Sequence, residues 1–320
     1  MEHNLAVSVV IPVYNSASTL VELSDRLLNV LGSLALDFEV ILVNDGSKDA
    51  SWQQLTSLTK SDPRIVAINL TRNFGQHNAL MCGLAYARGS IVITMDDDLQ
   101  HPPEEIPKLL EGLAQSGADA VIAHYASKQH SFLRNLGTRA SKEFALRTLG
   151  IPKDLDLTSF RAVRIETVKH LLKFKVASPR VGLMLFSTTT NIVNIETEHH
   201  PRKAGTSGYS LPRLVSNFLD NILNYSSVPL RFASFAGFLF AFIGFCLSAF
   251  YFVRYLSGAL KVSGFTTLVL LITFFSGLIL MTLGMVGEYL IRIIKSTEVR
   301  PRFIVREVRQ NLGDEETTQP

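Results

Sequence analysis

The fold is decided by residues 92–103, which read VITMDDDLQHPP. An apolar, β-branched run ends there in three carboxylates, which is typical of a buried strand that opens into a polar cleft. Residues two apart in an extended segment share a face, so we expect Asp96 and Asp98 to point one way and Asp97 the other. Two hard oxygen donors side by side suit Mg²⁺ or Mn²⁺. Substrate phosphates then fill the remaining coordination positions of the cation. The alternative is an acidic turn that caps a helix beginning near Pro103.

Strand and helix patterns alternate on both sides of this stretch. We predict an α/β fold with a mostly parallel sheet and helices on both faces, because such an alternation favours parallel pairing. The predicted strands are 7–15, 38–43, 65–70, 91–95 and 118–122, and the predicted helices are 18–31, 49–58, 76–87 and 104–113. Pro12 can lie only near the end of its strand, since proline donates no ladder hydrogen bond. Residues 181–195 alternate enough to hold further strands.

Polar side chains stand at the ends of the first four predicted strands. Tyr14 and Asn15 end the first strand, Asp45 follows the second, Arg72 follows the third, and the three aspartates end the fourth. In a parallel sheet these ends share one rim, where ligands bind. An acidic residue with two hydrogen-bonding side chains suits a nucleoside, and an arginine with a metal suits its diphosphate. The patterns GxGxxG and GxxxxGK[ST] are missing, which excludes an ordinary dinucleotide or P-loop site.

The last third of the chain is dominated by apolar residues. Segments 228–256 and 265–292 each exceed the roughly 20 helical residues that cross a bilayer, so we predict a transmembrane hairpin. The arginine-rich tail 293–320 is expected on the cytoplasmic side. Residues 211–227 predict an amphipathic helix at the membrane interface, with an ordinary packing helix as the alternative. The globular part is then 1–210.

Composition and cysteine usage narrow the class of protein. The chain has 320 residues, a formal net charge of +3 and 47% hydrophobic residues. Cys82 and Cys246 fall in different regions without metal-binding spacing, which favours a reducing compartment over a disulfide framework. The N-terminus lacks the pattern of a signal peptide, so we expect the globular domain to be cytosolic. The apolar last third of the chain predicts the membrane as a partner, and we expect no nucleic-acid partner. The adjacent His199 and His200 point apart and do not predict a metal pair.

Five motifs carry a resemblance to a known family. They are VIPVYN at 10–15, VNDGS at 43–47, RNFGQ at 72–76, DDDLQHPPE at 96–104 and GEYL at 287–290. Together they resemble family 2 glycosyltransferases of the GT-A fold, in particular the membrane-bound polyprenyl-phosphate glycosyltransferases. That group includes undecaprenyl-phosphate glucosyltransferases, aminoarabinose transferases and dolichol-phosphate mannose synthases. The resemblance covers nearly the whole chain and is specific for the family, not for the sugar.

The resemblance implies a role for each matching residue. The nucleotide-binding residues would be Pro12, Tyr14, Asn15, Asp45, Arg72 and Asp97. The divalent metal, Mg²⁺ or Mn²⁺, and the donor diphosphate would be held by Asp96, Asp98 and Gln100. The catalytic residues would be Asp96, Asp98 and Arg139. The acceptor phosphate would be bound by Arg134, Ser159, Arg161, Arg202 and Ser207.

The chain departs from the family pattern at two positions. Relatives often carry Gly-Asp-Phe-Arg where this chain has TSFR at 158–161, so Ser159 replaces the Asp sometimes proposed as a base. Gly208 replaces a loop lysine. A lipid phosphate monoester has a second pKa near ~6 and is mostly a dianion at neutral pH. Such a nucleophile needs positioning more than a base, so Ser159 suits a phosphate acceptor better than a sugar hydroxyl.

The resemblance implies an enzyme that transfers a sugar from a nucleotide-sugar to a polyprenyl phosphate with inversion. A UDP-sugar is the expected donor, with GDP-mannose as the alternative. The metal and Arg139 would stabilise the departing nucleoside diphosphate. A processive polysaccharide synthase would need Gln-x-x-Arg-Trp near the membrane, whereas the only tryptophan is Trp52. A non-catalytic partner of a flippase is the other alternative, and glycines in segment 265–292 favour a homo-oligomer.

Overall fold

A computed structural model of the chain describes residues 5–125, 155–174, 176, 179–198, 264–297 and 301–311, with single positions 235, 239, 242, 246, 250, 253 and 257. The described residues fall into two compact units. The first unit holds the described residues up to 198 together with 301–311, and the second holds those from 235 to 297.

The first unit is built on an eight-stranded sheet. Its strands are β1 Val7–Val13, β2 Phe38–Asn44, β3 Ile65–Leu70, β4 Ile91–Thr94, β5 Ala120–His124, β6 Arg161–Arg164, β7 Ile192–Glu196 and β8 Val305–Gln310. The order across the sheet is β7-β5-β6-β4-β1-β2-β3-β8. Strand β1 pairs in parallel with β2 and β4, β2 with β3, and β5 with β7. Strand β6 runs antiparallel to β4 and β5, and β8 to β3, so the sheet is mixed and mostly parallel, as predicted.

Helices cover both faces of this sheet. They are α1 Leu20–Ser33, α2 Ser51–Ser61, α3 Gln76–Tyr86, α4 Ile106–Ser116 after a 3₁₀ turn at Pro103–Glu105, α5 Ile165–Leu172 and α6 Val181–Thr188. Alternate residues of β1 enter two separate cores: Val9 and Ile11 join the core that contains α1, and Val10 joins the core that contains α3. This alternation follows from the period of two along a strand and confirms a sheet buried on both sides.

Four elements differ from the expectation, and one of them is helix α5, which was not predicted. Residues 181–188 form a helix rather than a strand, because Val181, Met184 and Leu185 are buried at helical spacing. Within the predicted segment 181–195, only the residues of β7 are extended. Strand β6 is only four residues long, too short for a recognisable pattern. Strand β8 lies in the segment that we read as a basic tail, and it adds an antiparallel edge strand to the sheet.

The second unit contains helix α7, Phe265–Thr297. Its stretch Phe274–Ile291 has no residue buried within the chain, and it is the one helix in the described residues whose length and composition suit a membrane crossing. The predicted interfacial helix 211–227 lies outside the described residues. The predicted first span 228–256 is described only at single positions, so the hairpin stays a prediction.

A buried carboxylate joins the amino ends of the central strands. Glu39 is 2% exposed and accepts hydrogen bonds from the Ser8 hydroxyl at 2.6 Å and from the Arg88 backbone N–H at 2.8 Å. The Arg88 guanidinium forms an ion pair with the same carboxylate at 2.6 Å. Glu39 is shielded from water, so these donors offset the free-energy cost of burying its carboxylate. The network links β1 and β2 to the turn before β4.

Replacing Arg88 by alanine should lower the free energy of unfolding by roughly 2 kcal/mol, since a hydrogen bond to a charged group contributes about 1.5–3 kcal/mol. The measurement is urea unfolding of the full chain in detergent, followed by the fluorescence of Trp52 in α2. The matched control is Arg309→Ala, which breaks the exposed ion pair with Glu307 on β8 and should cost less than about 1 kcal/mol. Equal losses in the two variants would contradict this role for Arg88.

Candidate active site

The carboxyl ends of β1, β2, β3 and β4 meet at one edge of the sheet, and the loops that follow them are tied together. The Tyr14 backbone N–H after β1 donates to Asp97 Oδ2 after β4 at 3.2 Å. The Asn15 backbone N–H donates to Ser47 Oγ in the loop after β2 at 3.0 Å. The polar residues predicted at the strand ends therefore lie in loops that contact each other, and this edge is the candidate active site.

The three aspartates lie in a loop and not on a strand. Strand β4 ends at Thr94, and Leu99 has a φ of +59°. The backbone bends at residues 97–100, so the alternation of an extended strand does not continue through the three aspartates. The hydrogen bonds separate the side chains instead, since Asp97 accepts from the loop after β1 and Asp98 Oδ1 accepts from the Gln100 backbone N–H at 3.2 Å.

Asp96 is held at three atoms. Gln76 Nε2, at the start of α3, donates to Asp96 Oδ1 at 2.7 Å. The Ser159 hydroxyl, just before β6, donates to Asp96 Oδ2 at 2.7 Å. The Asp96 backbone N–H donates to His101 Nδ1 at 3.4 Å. The carboxylate is thus oriented by two side chains that are distant from it in sequence, and its backbone is anchored to a third.

His101 is a buried, neutral anchor for this loop. Its ring stacks on Phe160 with centroids 5.3 Å apart and on Tyr125 with centroids 6.0 Å apart. Burial lowers the pKa of His101, although the nearby carboxylates of Asp96 and Asp98 oppose that shift. A neutral ring that accepts at Nδ1 carries its proton on Nε2. At neutral pH the uncharged His101 ring therefore holds the acidic loop in place through the Asp96 backbone.

Asp97 is partly buried, as are the two aspartates beside it. Burial raises its pKa to about 6, and the charges of Asp96 and Asp98 add to this, whereas hydrogen bonds from Ser16 and from the Tyr14 backbone oppose it. Both neighbours also raise the pKa of Tyr125, after the larger effect of burial.

Asp45 organises the loop after β3. Its carboxylate is 2% exposed and accepts from the backbone N–H of Phe74 at 2.7 Å and of Gly75 at 2.9 Å. Burial raises the pKa of Asp45, and these two hydrogen bonds oppose the shift. Gly46 has a φ of +65°, and a Cβ there would lie 2.5 Å from the Asn73 nitrogen. Asp45 thus has a structural task that the sequence did not predict, beside its predicted nucleotide contact.

The other predicted nucleotide residues differ in accessibility. The Tyr14 side chain is 46% exposed. Arg72 is exposed, and its guanidinium carbon lies 4.8 Å above the centre of the Phe74 ring. Asn15 has a φ of +54°, and its side-chain oxygen accepts from the Lys48 backbone N–H at 2.8 Å. Pro12 is buried inside β1, opposite Val43. Tyr14, Asn15 and Arg72 are therefore exposed and offer surface to a ligand, whereas Pro12 is buried in the sheet.

Two predicted acceptor residues lie beside Asp96. Ser159 donates to the Asp96 carboxylate, as described above, and Arg161 in β6 is 2% exposed. Burial lowers the pKa of Arg161 to about 10, while Asp96 and Tyr125 oppose the shift. Burial also lowers the pKa of His77 to about 4, with Arg180 and Arg161 adding to the effect. Arg161 is thus a buried cation near Asp96, and His77 is neutral at physiological pH.

Four predicted site residues, Arg134, Arg139, Arg202 and Ser207, lie outside the described residues. Conversely, sequence reasoning gave no role to Gln76, His101 or Thr94. Gln76 and His101 stand within the quoted motifs RNFGQ and DDDLQHPPE, which is the signal that pointed to them.

The donor set at this edge fits a hard divalent cation. Within the part of the chain that the structure describes, no three histidine, cysteine, aspartate or glutamate side chains form a metal-binding group. A site of two carboxylates is nonetheless what Mg²⁺ or Mn²⁺ uses when substrate phosphates complete the coordination. Asp96 and Asp98, with the Gln100 amide, supply such oxygens. The arrangement suits a metal that is bound together with a diphosphate.

Comparison with known proteins identifies the family of the chain. The model of the family described as "Glycosyl transferase family 2" matches residues 8–171. The chain is 34% identical over 314 residues to an undecaprenyl-phosphate 4-deoxy-4-formamido-L-arabinose transferase of Edwardsiella ictaluri, covering 97% of this chain and 96% of that protein. It is 36% identical over 305 residues to the Pseudomonas aeruginosa protein of the same name, covering 94% and 90%.

A solved structure shares the fold. Glucosyl-3-phosphoglycerate synthase from Mycobacterium tuberculosis, in complex with Mn²⁺, uridine diphosphate and phosphoglyceric acid, aligns with a TM-score of 0.53 at 19% identity. The alignment covers 68% of this chain and 76% of that protein. This likeness confirms the predicted GT-A architecture of the sheet unit. The full-length relatives and the family match together establish that this chain is a glycosyltransferase and belongs to glycosyl transferase family 2.

Proposed function

We propose that this enzyme transfers a sugar from a UDP-sugar to undecaprenyl phosphate at the cytoplasmic face of the inner membrane, with inversion at the anomeric carbon. The observation that carries the proposal is the likeness to undecaprenyl-phosphate transferases over 97% of the chain, which includes the apolar C-terminal third. The sugar of those relatives, 4-deoxy-4-formamido-L-arabinose, is the first candidate. The product would be a lipid-linked sugar for modification of the cell envelope.

The donor site would lie at the carboxyl edge of the sheet. Asp96, Asp98 and Gln100 would hold Mg²⁺ or Mn²⁺, which when bound neutralises the diphosphate and makes it a better leaving group. The exposed Tyr14 and Arg72 would contact the nucleotide. The presence of Mn²⁺ with uridine diphosphate in the mycobacterial synthase supports the choice of metal and of uracil.

The acceptor chemistry explains why a serine is tolerated at 159. A lipid phosphate is mostly a dianion at neutral pH, so attack on the anomeric carbon needs no strong base. The task of the protein is to position that phosphate and to relieve its repulsion from the donor diphosphate. We assign this task to Arg134, Arg202 and Ser207, and we expect the buried charge of Arg161 to contribute. Arg139 would stabilise the departing nucleoside diphosphate.

The path of the chain supports a membrane hairpin. The chain leaves the sheet after β7 and returns to the same sheet as β8, after the apolar helix α7. A chain that starts and ends on one side of a bilayer crosses it an even number of times. If α7 is one crossing, a second is needed before it, and 228–256 has the length and composition. We therefore retain the boundaries 1–210, 211–227, 228–256, 265–292 and 293–320, with β8 within the last segment.

Asp98→Ala should lower sugar transfer by on the order of 10³-fold, because the donor diphosphate loses a metal ligand and the leaving group loses its neutralising charge. The measurement is formation of labelled undecaprenyl-phospho-sugar by the purified chain in detergent with Mn²⁺. Asp25→Ala, which removes an exposed carboxylate on α1, is the matched control and should be fully active. Comparable activity of the two variants would overturn the metal assignment.

One UDP-sugar should raise the melting temperature of the full chain selectively when Mg²⁺ or Mn²⁺ is present. A ligand at a hundred times its Kd stabilises the folded state by about 2.7 kcal/mol. The screen compares UDP-sugars, UDP-4-deoxy-4-formamido-L-arabinose among them, with GDP-mannose at equal concentration, each with EDTA as the control. A shift with GDP-mannose alone would contradict the proposed donor.

A protease added to sealed right-side-out vesicles should leave both the sheet unit and the tail intact, because the hairpin places both on the cytoplasmic side. The same protease should cleave them in inside-out vesicles, which provide the control for accessibility. Epitopes at the two ends of the chain report each fragment. Cleavage of the sheet unit in right-side-out vesicles would refute the proposed orientation.

A further inference from the structure

We propose that Ser159 and Gln76 are positioning residues that set the affinity for the divalent cation by orienting the Asp96 carboxylate. This inference rests on the proposed function, since it assumes that Asp96 is a metal ligand. It gives Ser159 a task different from the acceptor contact that the sequence predicted.

The geometry places one neutral donor on each oxygen of Asp96. Gln76 Nε2 lies 2.7 Å from Oδ1, and Ser159 Oγ lies 2.7 Å from Oδ2. A carboxylate oxygen has two lone-pair positions, so each oxygen keeps one for a cation. The two donors come from different elements, the first residue of α3 and the segment before β6, and together they limit rotation of the carboxylate about its side-chain torsions.

The donor at 159 is itself fixed by the sheet. The Ser159 carbonyl oxygen accepts from Thr94 Oγ1 at 2.7 Å and from Arg161 Nε at 3.4 Å. Thr94 and Arg161 are 1% and 2% exposed, and they are register partners in the antiparallel pair of β4 with β6. These contacts fix the Ser159 backbone relative to the pairing of β4 with β6. The same pairing fixes the end of β4, from which the chain continues to Asp96.

A metal-ligating side chain that is already oriented before the metal arrives binds the metal more tightly. Hydrogen bonds to a ligating carboxylate fix its orientation, and loss of such a partner typically weakens metal binding by 10–100-fold. Serine and glutamine are neutral donors, so they orient the carboxylate without adding charge to the site. The metal-binding geometry of Asp96 thus depends on two residues that need not touch the metal or the substrate.

The test is direct binding of Mn²⁺ to the full chain in detergent with UDP, measured by the loss of the free Mn²⁺ signal in electron paramagnetic resonance. Ser159→Ala should raise the Kd for Mn²⁺ about tenfold. Ser159→Thr keeps the hydroxyl and should restore most of the affinity. The control Ser187→Ala removes an exposed hydroxyl that donates to the Leu183 carbonyl of its own helix, and it should leave the Kd unchanged.

Gln76→Ala provides a second variant at an exposed side chain and should raise the same Kd. The Mn²⁺ concentration for half-maximal transfer should rise in parallel, by a larger factor than any fall in kcat. A wild-type Kd in both Ser159→Ala and Gln76→Ala would overturn the inference and leave the proposed function standing. Failure of the wild-type chain to bind Mn²⁺ with UDP would overturn the metal assignment itself.

Discussion

The parallel pairing of β1 with β2 on one side and β4 on the other is the constraint on which the site depends. It forces the carboxyl ends of these strands to the same edge, and the loops that leave them then share hydrogen bonds. Asp97 accepts from the backbone after β1, and Asp45 accepts from the backbone after β3. Each contact joins segments far apart in sequence, so the edge is rigid only when the whole central sheet has formed. The antiparallel strand β6 completes it by bringing Ser159 to Asp96.

Consecutive carboxylates repel each other, and a separate set of hydrogen-bond donors orients each of the three. Asp96 is held by an amide and a hydroxyl, Asp97 by a backbone N–H and Asp98 by another, and all of these donors are neutral. Burial raises the pKa of Asp97 to about 6, and the adjacent charges add to that shift. Carboxylates that hydrogen bonds have already oriented suit a divalent cation with a bound diphosphate.

Much of this architecture could be predicted from local patterns, and the exceptions have a physical reason. Strands β1 to β5 and helices α1 to α4 follow the predicted segments closely, because apolar periodicity is strong there. Strand β8 has the sequence VREVRQ, which lacks the period-two alternation of a half-buried strand, and only its pairing with β3 shows that it is one. The candidate residues at the strand ends were found from topology, but their partners were not: Ser159 meets Asp96 across 63 positions of sequence, and Asp45 meets Gly75 across 30. Such contacts arise from tertiary packing and leave no periodic signal.

The measurement that tests the central claim most directly is pulsed electron–nuclear double resonance on the full chain with Mn²⁺ and UDP. The account predicts strong ³¹P couplings from the nucleotide diphosphate to the protein-bound Mn²⁺, because one cation would join the phosphates to the Asp96 and Asp98 carboxylates. Bound Mn²⁺ that shows couplings to water protons and none to phosphorus would contradict it.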